Sequence, residues 1–484
     1  MSTSVFQDRS HFRPEQNYRL LPFRFGRLEG ERYVLTNDVG EYVVLPRKEL
    51  DAFVGRTLDP SGSTYRALKS KHFLFDRYSR VALDLLALKY RTRAEHLASF
   101  TGLHIFVVTL RCDHSCHYCQ VSRQTEDRTH FDMSRDHADR ALDFTFRSPS
   151  PSIKIEFQGG EPLLNFELIR HVVERAEVLN ATHRRQLQFV IASNLSRLSD
   201  EILSFCKAHG VLFSTSLDGP EDIHNAQRPV RNGDSYRNTI SAIRRARAEL
   251  GADSVSALMT TTRASLARVE DVIDEYVRQD FHSIFLRSLS PYGFATRQSL
   301  TRRYSAEDWI QFYVRGLEHI LKVNAQGYPL REEFTSILLQ KIYSPRGAAY
   351  VDLQSPAGLA IGALVYNYDG TVYASDEGRM LAEMGDQSLR LGHLERDSYE
   401  SMLTSEALLT LMGDTMTEGA PMCSDCPFLP YCGADPAFHL ATARDPVGHK
   451  ALSAFCKKHM AVLRHLLKRL EDDTEARETL LSWI

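Results

Sequence analysis

Three cysteines, Cys112, Cys116 and Cys119, stand close together in the run RCDHSCHYC. Thiolates at this spacing hold three corners of a [4Fe–4S] cubane from one tight loop and leave the fourth iron without a protein ligand. An open position is what a metal centre keeps when it must bind a reactant. The same spacing also admits structural zinc, with His114 or His117 as the fourth ligand. A second motif, Phe157-Gln-Gly-Gly-Glu-Pro162, places Gly159 and Gly160 where a ligand can approach the backbone and lets Glu161 offer a carboxylate to an ammonium group. Read alone, it is equally a strand-to-helix connector. Ser216-Leu-Asp-Gly-Pro220 holds Asp218 in what is otherwise an ordinary turn. Four further cysteines, Cys423, Cys426, Cys432 and Cys456, give C-x2-C-x5-C with a distant fourth. That closed set suits a fully ligated [4Fe–4S] cluster or structural zinc, and spacing does not choose between them. Cys206, among apolar neighbours in a helical stretch, reads as a buried free thiol, and Trp309 as core.

Elements must bring these residues together. Strand-length apolar runs recur at 104–110, 153–157, 187–192, 212–217, 255–260 and 283–286. Helical patterns lie between them at 136–146, 166–179, 200–209, 236–250 and 269–279. This alternation predicts an α/β fold with a parallel sheet, a partial (β/α)6 TIM-like barrel. Chemistry in such barrels sits at the carboxyl ends of the strands. The first cysteines follow the first strand and the glycine pair follows the second, so both fall on one rim. Ahead of the barrel, short strands at 32–35 and 42–45 and helices at 48–54 and 65–71 predict a small α+β domain, winged-helix-like in outline. Behind it come helices at 306–325 and 332–342, a hairpin of 359–366 and 371–374 around Asp369-Gly370, a cysteine loop and a terminal helix over 449–470. The expected domains are 1–98, 99–330 and 331–484.

A chain of 484 residues exceeds one ordinary core, in keeping with that division. With 59 basic and 62 acidic residues the net charge is −3, which gives no global electrostatic reason to expect nucleic acid or an anionic membrane as partner. The polar opening, MSTSVFQDRSHFRPEQ, lacks the apolar stretch of a signal peptide, and no apolar run is long enough to span a bilayer. Eight cysteines without an export signal then read as reduced thiols in a cytoplasmic protein, free to bind metal.

Together these motifs resemble the radical S-adenosylmethionine superfamily over roughly residues 100–460. The resemblance implies that Cys112, Cys116 and Cys119 bind the catalytic [4Fe–4S] cluster and that Tyr118 lies beside the adenine of S-adenosylmethionine. It implies that Gly159, Gly160 and Glu161 take the methionine amino group. Ser216 and Asp218 match the ribose and carboxylate region, with Asn194 and Arg228 as further contacts. The implied activity is reductive cleavage of the cofactor to a 5′-deoxyadenosyl radical, which abstracts hydrogen from an unactivated C–H bond.

The C-terminal part resembles the SPASM extension of peptide-modifying radical enzymes, which carries seven cysteines and two auxiliary clusters. Ser355, Ser375 and Pro436 stand where that pattern has cysteine, and all three positions serve the same cluster. The four cysteines retained are the full set of the other, which implies one auxiliary [4Fe–4S] cluster, with zinc as the alternative. Asp376 matches an aspartate that deprotonates substrate in the similar anaerobic sulfatase-maturating enzymes. On its residues alone it is a solvated acid beside Glu377.

The stretches YRLLPFRFGRLEGERYVLTNDVGEYVVLP and CGADPAFHLAT…FCKKH are most similar to the HxsB-type maturase of His-Xaa-Ser systems. That resemblance implies a precursor peptide or protein substrate, a second radical SAM enzyme and a small accessory protein as partners, and a reductant protein such as flavodoxin or ferredoxin. The amino-terminal domain then either captures a leader peptide by strand addition or caps the barrel base. The competing expectations are a radical enzyme acting on a small metabolite and a non-catalytic zinc- or cluster-binding protein.

Overall fold

In the computed structural model, which describes residues 18–76, 81–125, 127–231, 233–297, 304–346 and 350–484, one nine-stranded sheet carries the site. Its strands are β1 (Leu103–Thr109), β2 (Ser152–Gly159), β3 (Gln186–Ala192), β4 (Val211–Ser216), β5 (Val255–Thr260), β6 (Leu286–Arg287), β7 (Ala363–Tyr366), β8 (Thr371–Tyr373) and β9 (Arg390–His393). Their spatial order is β6-β5-β4-β3-β2-β1-β7-β8-β9. The strands from β1 to β6 pair in parallel throughout. The register sets Phe106 opposite Phe157, Phe157 opposite Ile191 and Ile191 opposite Phe213. All four are buried, so a slip of one residue would turn this apolar row to the other face.

Helices Arg135–Thr145, Phe166–His183, Asp200–His209, Ser235–Leu250 and Val269–Arg278 return the chain between strands. Several start on side-chain caps, with Ser134 accepting from His137 N, Ser199 from Ile202 N and Asp234 from Arg237 N. The expected α/β partial barrel is present. Its sixth strand differs in detail: Ser283–Ile284 pairs with Arg331–Glu332, and only Leu286–Arg287 joins the sheet. Glu332 accounts for the break, because its carboxylate takes the Leu286 N–H at 3.1 Å.

The hairpin β7–β8 does not stand apart. β7 runs parallel to β1, with Val365 opposite Ile105, so the C-terminal region continues the barrel sheet past its first strand. The long C-terminal helix is Ala454–Asp472, followed by a short one, Thr474–Leu481, and it starts later than the apolar pattern predicts, because Ser453 caps it after a turn that closes Leu452 N on His449 O.

The amino-terminal domain is a three-stranded antiparallel sheet, Arg24–Glu29, Arg32–Thr36 and Tyr42–Pro46, over helices Arg47–Val54 and Ser63–Ser70. It has its own core of Leu35, Leu45, Phe53, Leu68 and Phe73. Strand Arg24–Glu29 escapes the sequence pattern because it is an edge with no fully buried residue. Contacts from this domain run to the C-terminal cysteine loop and last long helix. Thr36 Oγ1 donates to Pro427 O at 2.7 Å, Tyr431 Oη donates to Gly40 O at 2.9 Å, and Arg32 pairs with Asp472. The polar opening of the chain, 1–17, lies outside the described residues. Among the described residues no helix is long and apolar enough to cross a membrane. Cys206 is buried in its helix, and Trp309 is also buried.

Candidate active site

β1 ends at Thr109 and the chain turns at once into the first cysteine run. Arg111 fixes that turn. Its buried guanidinium grips Asp132 with both arms, Nε to Oδ1 at 2.7 Å and Nη2 to Oδ2 at 2.8 Å, and also donates to Leu164 O at 2.7 Å. A bidentate pair sets orientation as well as adding energy. Farther on, Ser115 N donates to Pro229 O and His117 N to Gln227 O, both at 3.0 Å, which stitches the loop to the segment after β4. Cys112, Cys116 and Cys119 then line one wall of a cavity at the carboxyl ends of the strands, with about 1280 Å³ of empty space partly open to solvent. Burial pushes the Cys112 and Cys116 thiols up, and the Arg228 guanidinium opposes it at Cys116.

Gly159 and Gly160 line the same cavity. Their missing Cβ atoms nevertheless answer to the protein's own backbone. A Cβ at Gly159, where φ is +143°, would fall 1.9 Å from Thr109 O, and one at Gly160 would fall 2.2 Å from Arg111 O. The turn closes there through Gly160 N to Thr109 O at 2.9 Å and Glu161 N to Arg111 O at 2.7 Å. Glycine is thus required by the seam between β2 and the root of the cysteine loop, a reason the motif alone does not reveal.

Glu161 also differs from its sequence reading. It does not line the cavity. Its fully buried carboxylate accepts from Ser193 Oγ at 2.7 Å, Asn194 N at 2.8 Å and Leu163 N at 3.0 Å, so it braces the end of β3 and leaves little capacity for an ammonium group. Burial pushes its pKa up to about 7 against those bonds.

On the other side of the loop, Tyr118 joins two charges. Arg228 Nη1 donates to Tyr118 Oη at 2.7 Å, and Tyr118 Oη donates to Asp218 Oδ2 at 2.7 Å. Thr260 N reaches Asp218 Oδ1 at 3.3 Å. Burial alone would depress the Arg228 pKa, yet Cys116, Tyr118 and Asp218 around it hold it well above the usual value. Burial raises Asp218 despite Arg228. Tyr118, Asn194, Ser216 and Arg228 face the cavity, whereas Asp218 lies behind them. Asn194 Nδ2 donates to Asp113 Oδ1 at 3.0 Å and lies 2.9 Å from His114 Nδ1, which ties the end of β3 to the cysteine loop.

The cysteine loop brings three thiols to this wall. His114 is buried, with Nδ1 beside Asp113 and Asn194 and Nε2 3.2 Å from Ser235 Oγ, so neither ring nitrogen is left for zinc. Thr215 Oγ1, at the same cavity, is buried without a hydrogen-bond partner among the described residues. Three thiols with a polar wall fit a cubane that holds a further ligand on its fourth iron.

Asp376 opens helix Asp376–Ala382, which Ser375 caps by accepting from Gly378 N at 3.0 Å. It is no solvated loop acid. It is half-buried on the wall of the cysteine cavity, 3.4 Å from the buried Arg379 guanidinium, and burial pushes its pKa up despite that neighbour. Cys423, Cys426 and Cys432 occupy successive turns pinned by Cys426 N to Cys423 O at 3.0 Å and Cys432 N to Phe428 O at 3.1 Å. Cys456 enters from the first turn of the last long helix, where its N–H bonds the Ser453 cap at 3.3 Å. Burial pushes Cys432 up to about 12. These four lie outside the cavity of the first three.

Sequence reasoning left out Arg111, Asp113, Ser193, Thr260 and Arg287. Asp113 lies inside the cysteine motif. Ser193, Thr260 and Arg287 stand at or just beyond strand ends, where the rim rule would have found them.

Residues 106–276 match the model of the Radical SAM superfamily. An uncharacterised protein of Methanocaldococcus jannaschii is 33% identical over 129 residues, 27% of this chain and 42% of that protein. The chain therefore spans less than half the length of that relative. The cysteine-type anaerobic sulfatase-maturating enzyme of Clostridium novyi is 21% identical over 378 residues, 75% of this chain and 94% of that enzyme. Among solved structures, native anSMEcpe with bound AdoMet superposes with a TM-score of 0.64 at 17% identity, covering 78% of this chain and 99% of that one. Streptococcus suis SuiB bound to precursor peptide SuiA gives 0.52 at 12% identity, covering 88% and 97%. Both likenesses concern the fold. A radical SAM domain works with S-adenosylmethionine and a [4Fe–4S] cluster, and three cavity thiols are what this one offers. The matched segment, residues 106–276, thus carries a radical SAM domain, and the cysteine rim is built on it.

Proposed function

We propose that the chain is a radical peptide maturase. The observation that carries this reading is the cavity wall, where Cys112, Cys116 and Cys119 are the thiols on offer and the neighbouring His114, Asp113 and Glu161 are taken up by hydrogen bonds. When bound, the cluster and S-adenosylmethionine supply the one-electron cleavage to a 5′-deoxyadenosyl radical that takes hydrogen from a substrate C–H bond. The chain's own residues hold and orient. Tyr118, backed by Arg228 and Asp218, would flank the adenosine, while Gly159, Gly160, Asn194 and Ser216 give the polar wall for the ribose and methionine ends. Glu161 acts one step back, by fixing Asn194. Asp376, on the same cavity and with its pKa raised by burial, would accept a proton from the substrate.

Cys423, Cys426, Cys432 and Cys456 would hold one auxiliary [4Fe–4S] cluster. Structural zinc on the same four thiols is the alternative. In this reading 1–98 is a recognition domain, 99–330 the radical SAM barrel and 331–484 the SPASM-like domain.

Peptide as substrate is supported by the sulfatase-maturating relative and by the fold shared with SuiB, which was solved with a precursor peptide. The open edge Arg24–Glu29, with Phe25 half exposed, suits capture of a leader peptide as an added strand. The two stretches similar to HxsB-type maturases favour a His-Xaa-Ser repeat precursor, a second radical SAM enzyme, a small accessory protein and a flavodoxin or ferredoxin reductant in a reducing cytoplasm. The test is anaerobic reconstitution followed by reduction. The wild type forms 5′-deoxyadenosine and C112A, C116A and C119A do not, and co-expressed precursor loses two hydrogens per event by mass spectrometry. Zinc with little iron after anaerobic isolation would overturn the reading.

A further inference from the structure

A second chamber of about 720 Å³ adjoins the cysteine cavity and shares Arg287, Ser288, Leu289 and Ser290 with it. Three carboxyl groups face this chamber, Asp352, Glu377 and Asp435, against two cations, Arg287 and Lys458. Their places in the chain are telling. Asp352 precedes Ser355, Glu377 follows Ser375, and Asp435 directly precedes Pro436, and those are the three positions where the SPASM pattern has cysteine. The segments do converge. Ala434 N donates to Gln354 O at 3.2 Å, a Cβ at Gly433 would fall 2.3 Å from Gln354 N, and helices Asp376–Ala382 and Pro436–Ala443 pack together. Where three cysteines would have held a cluster, this chain presents three acids around an open space.

Much of the remaining wall is aromatic, including Tyr292, Trp309 and Phe438. Among the described residues Trp309 Nε1 and Tyr292 Oη are buried there with no hydrogen-bond partner, the two residues being only 5% and 3% exposed. Buried groups of this kind are costly until something pairs with them. The three acids outnumber the two cations, and burial beside Asp352, Asp376 and Asp435 pushes Glu377 up to about 8, so that it keeps its proton near neutral pH until a further cation favours the ionised form. The three acids stand too far apart to share one bare ion, because among the described residues only His137, His393 and Glu395 bring three donors within 4.8 Å. A larger cation with apolar faces suits both the acids and the rings.

We propose that this chamber is the subsite for a cationic side chain of the peptide substrate, a guanidinium, ammonium or imidazolium group held beside the radical cavity. The acids supply the counter-charge, Tyr292 Oη accepts from the cation, and the Trp309 N–H remains for a peptide carbonyl. The inference rests on the reading of the chain as a peptide maturase.

The full-length enzyme, reconstituted anaerobically, is titrated with blocked Ala-Arg-Ala, Ala-Lys-Ala and Ala-His-Ala peptides and with Ala-citrulline-Ala as the neutral counterpart of arginine. Trp309 fluorescence is followed in a W483F background, since the chain has two tryptophans. At least one cationic peptide should quench saturably, the citrulline peptide should bind at least tenfold more weakly, and E377Q and D352N should each weaken the cation by threefold or more. No saturable binding of any cation, equal binding of citrulline, or unaffected binding in both variants overturns the proposal. Formation of 5′-deoxyadenosine by the same preparation separates the two levels. Turnover without cation binding removes the subsite alone, and no turnover removes the maturase reading beneath it.

Discussion

Replacing Gly160 by alanine tests whether the glycine pair serves a bound ligand or the seam with the cysteine loop. A Cβ at this position would stand 2.2 Å from Arg111 O, 2.6 Å from Leu110 O and 2.7 Å from Arg111 C, all backbone atoms that no rotamer change can move. Ordinary contacts begin near 3.4 Å, so the two strands of chain must part by about 1 Å. Such a shift weakens Gly160 N to Thr109 O and Glu161 N to Arg111 O, now 2.9 and 2.7 Å. Two backbone bonds are worth about 1 kcal/mol each, and overpacking adds about 1–3 kcal/mol. G160A should therefore destabilise the apo chain by about 3–5 kcal/mol, read from urea unfolding under anaerobic conditions. Reconstituted G160A should also retain less iron, because Arg111 roots the loop that carries Cys112, Cys116 and Cys119. If the glycine served ligand approach alone, apo stability and iron content would match the wild type and only S-adenosylmethionine binding would fall. That pattern would refute the seam argument.

Other outcomes follow from the same structure. Glu161 has its folded pKa raised to about 7 by burial, so its contribution is greatest below the ordinary carboxylate range and is lost as pH rises through 7. The apo wild type should lose on the order of 3 kcal/mol between pH 4.5 and 8 from this group, and the slope should flatten in E161Q when urea midpoints are compared. Arg93 donates to Val39 O, Lys341 O and Pro430 O and so pins the amino-terminal domain, helix Glu333–Tyr343 and the second cysteine loop at once. A lysine cannot reproduce that fork, and R93K should cost about 2–3 kcal/mol and speed amide exchange in the 423–432 loop. C432S should remove roughly half of the iron bound by an enzyme with two [4Fe–4S] clusters and leave the Cys112 loop able to bind its own. Loss of zinc instead of iron would refute the auxiliary cluster.

Much of the barrel was legible because burial on both faces of a parallel strand leaves near-continuous apolar runs, and amphipathic helices between them announce themselves by period. Val255–Thr260, Asp200–His209 and Ala306–Ala325 fall where the pattern puts them. Misses have local causes. Edge strand Arg24–Glu29 keeps its apolar residues half exposed, and the sixth barrel strand is interrupted by Glu332, a residue far along the chain.

By itself the sequence determined the chemistry on offer, since thiol spacing on a loop after a strand is a local property and the rim of a parallel barrel follows from chain order. It also carried the resemblance to the SPASM pattern, with Ser355, Ser375 and Pro436 at three of its cysteine positions. Only the tertiary structure decided what the other residues do. Glu161 turned inward to brace Asn194, Gly159 and Gly160 answered to the backbone of Thr109 and Arg111, and Asp352, Glu377 and Asp435 met around one chamber. The physical reason is that hydrogen-bond partners and close contacts join segments far apart in the chain. Which of a residue's capacities is used up, and which remains free, is fixed when those segments pack.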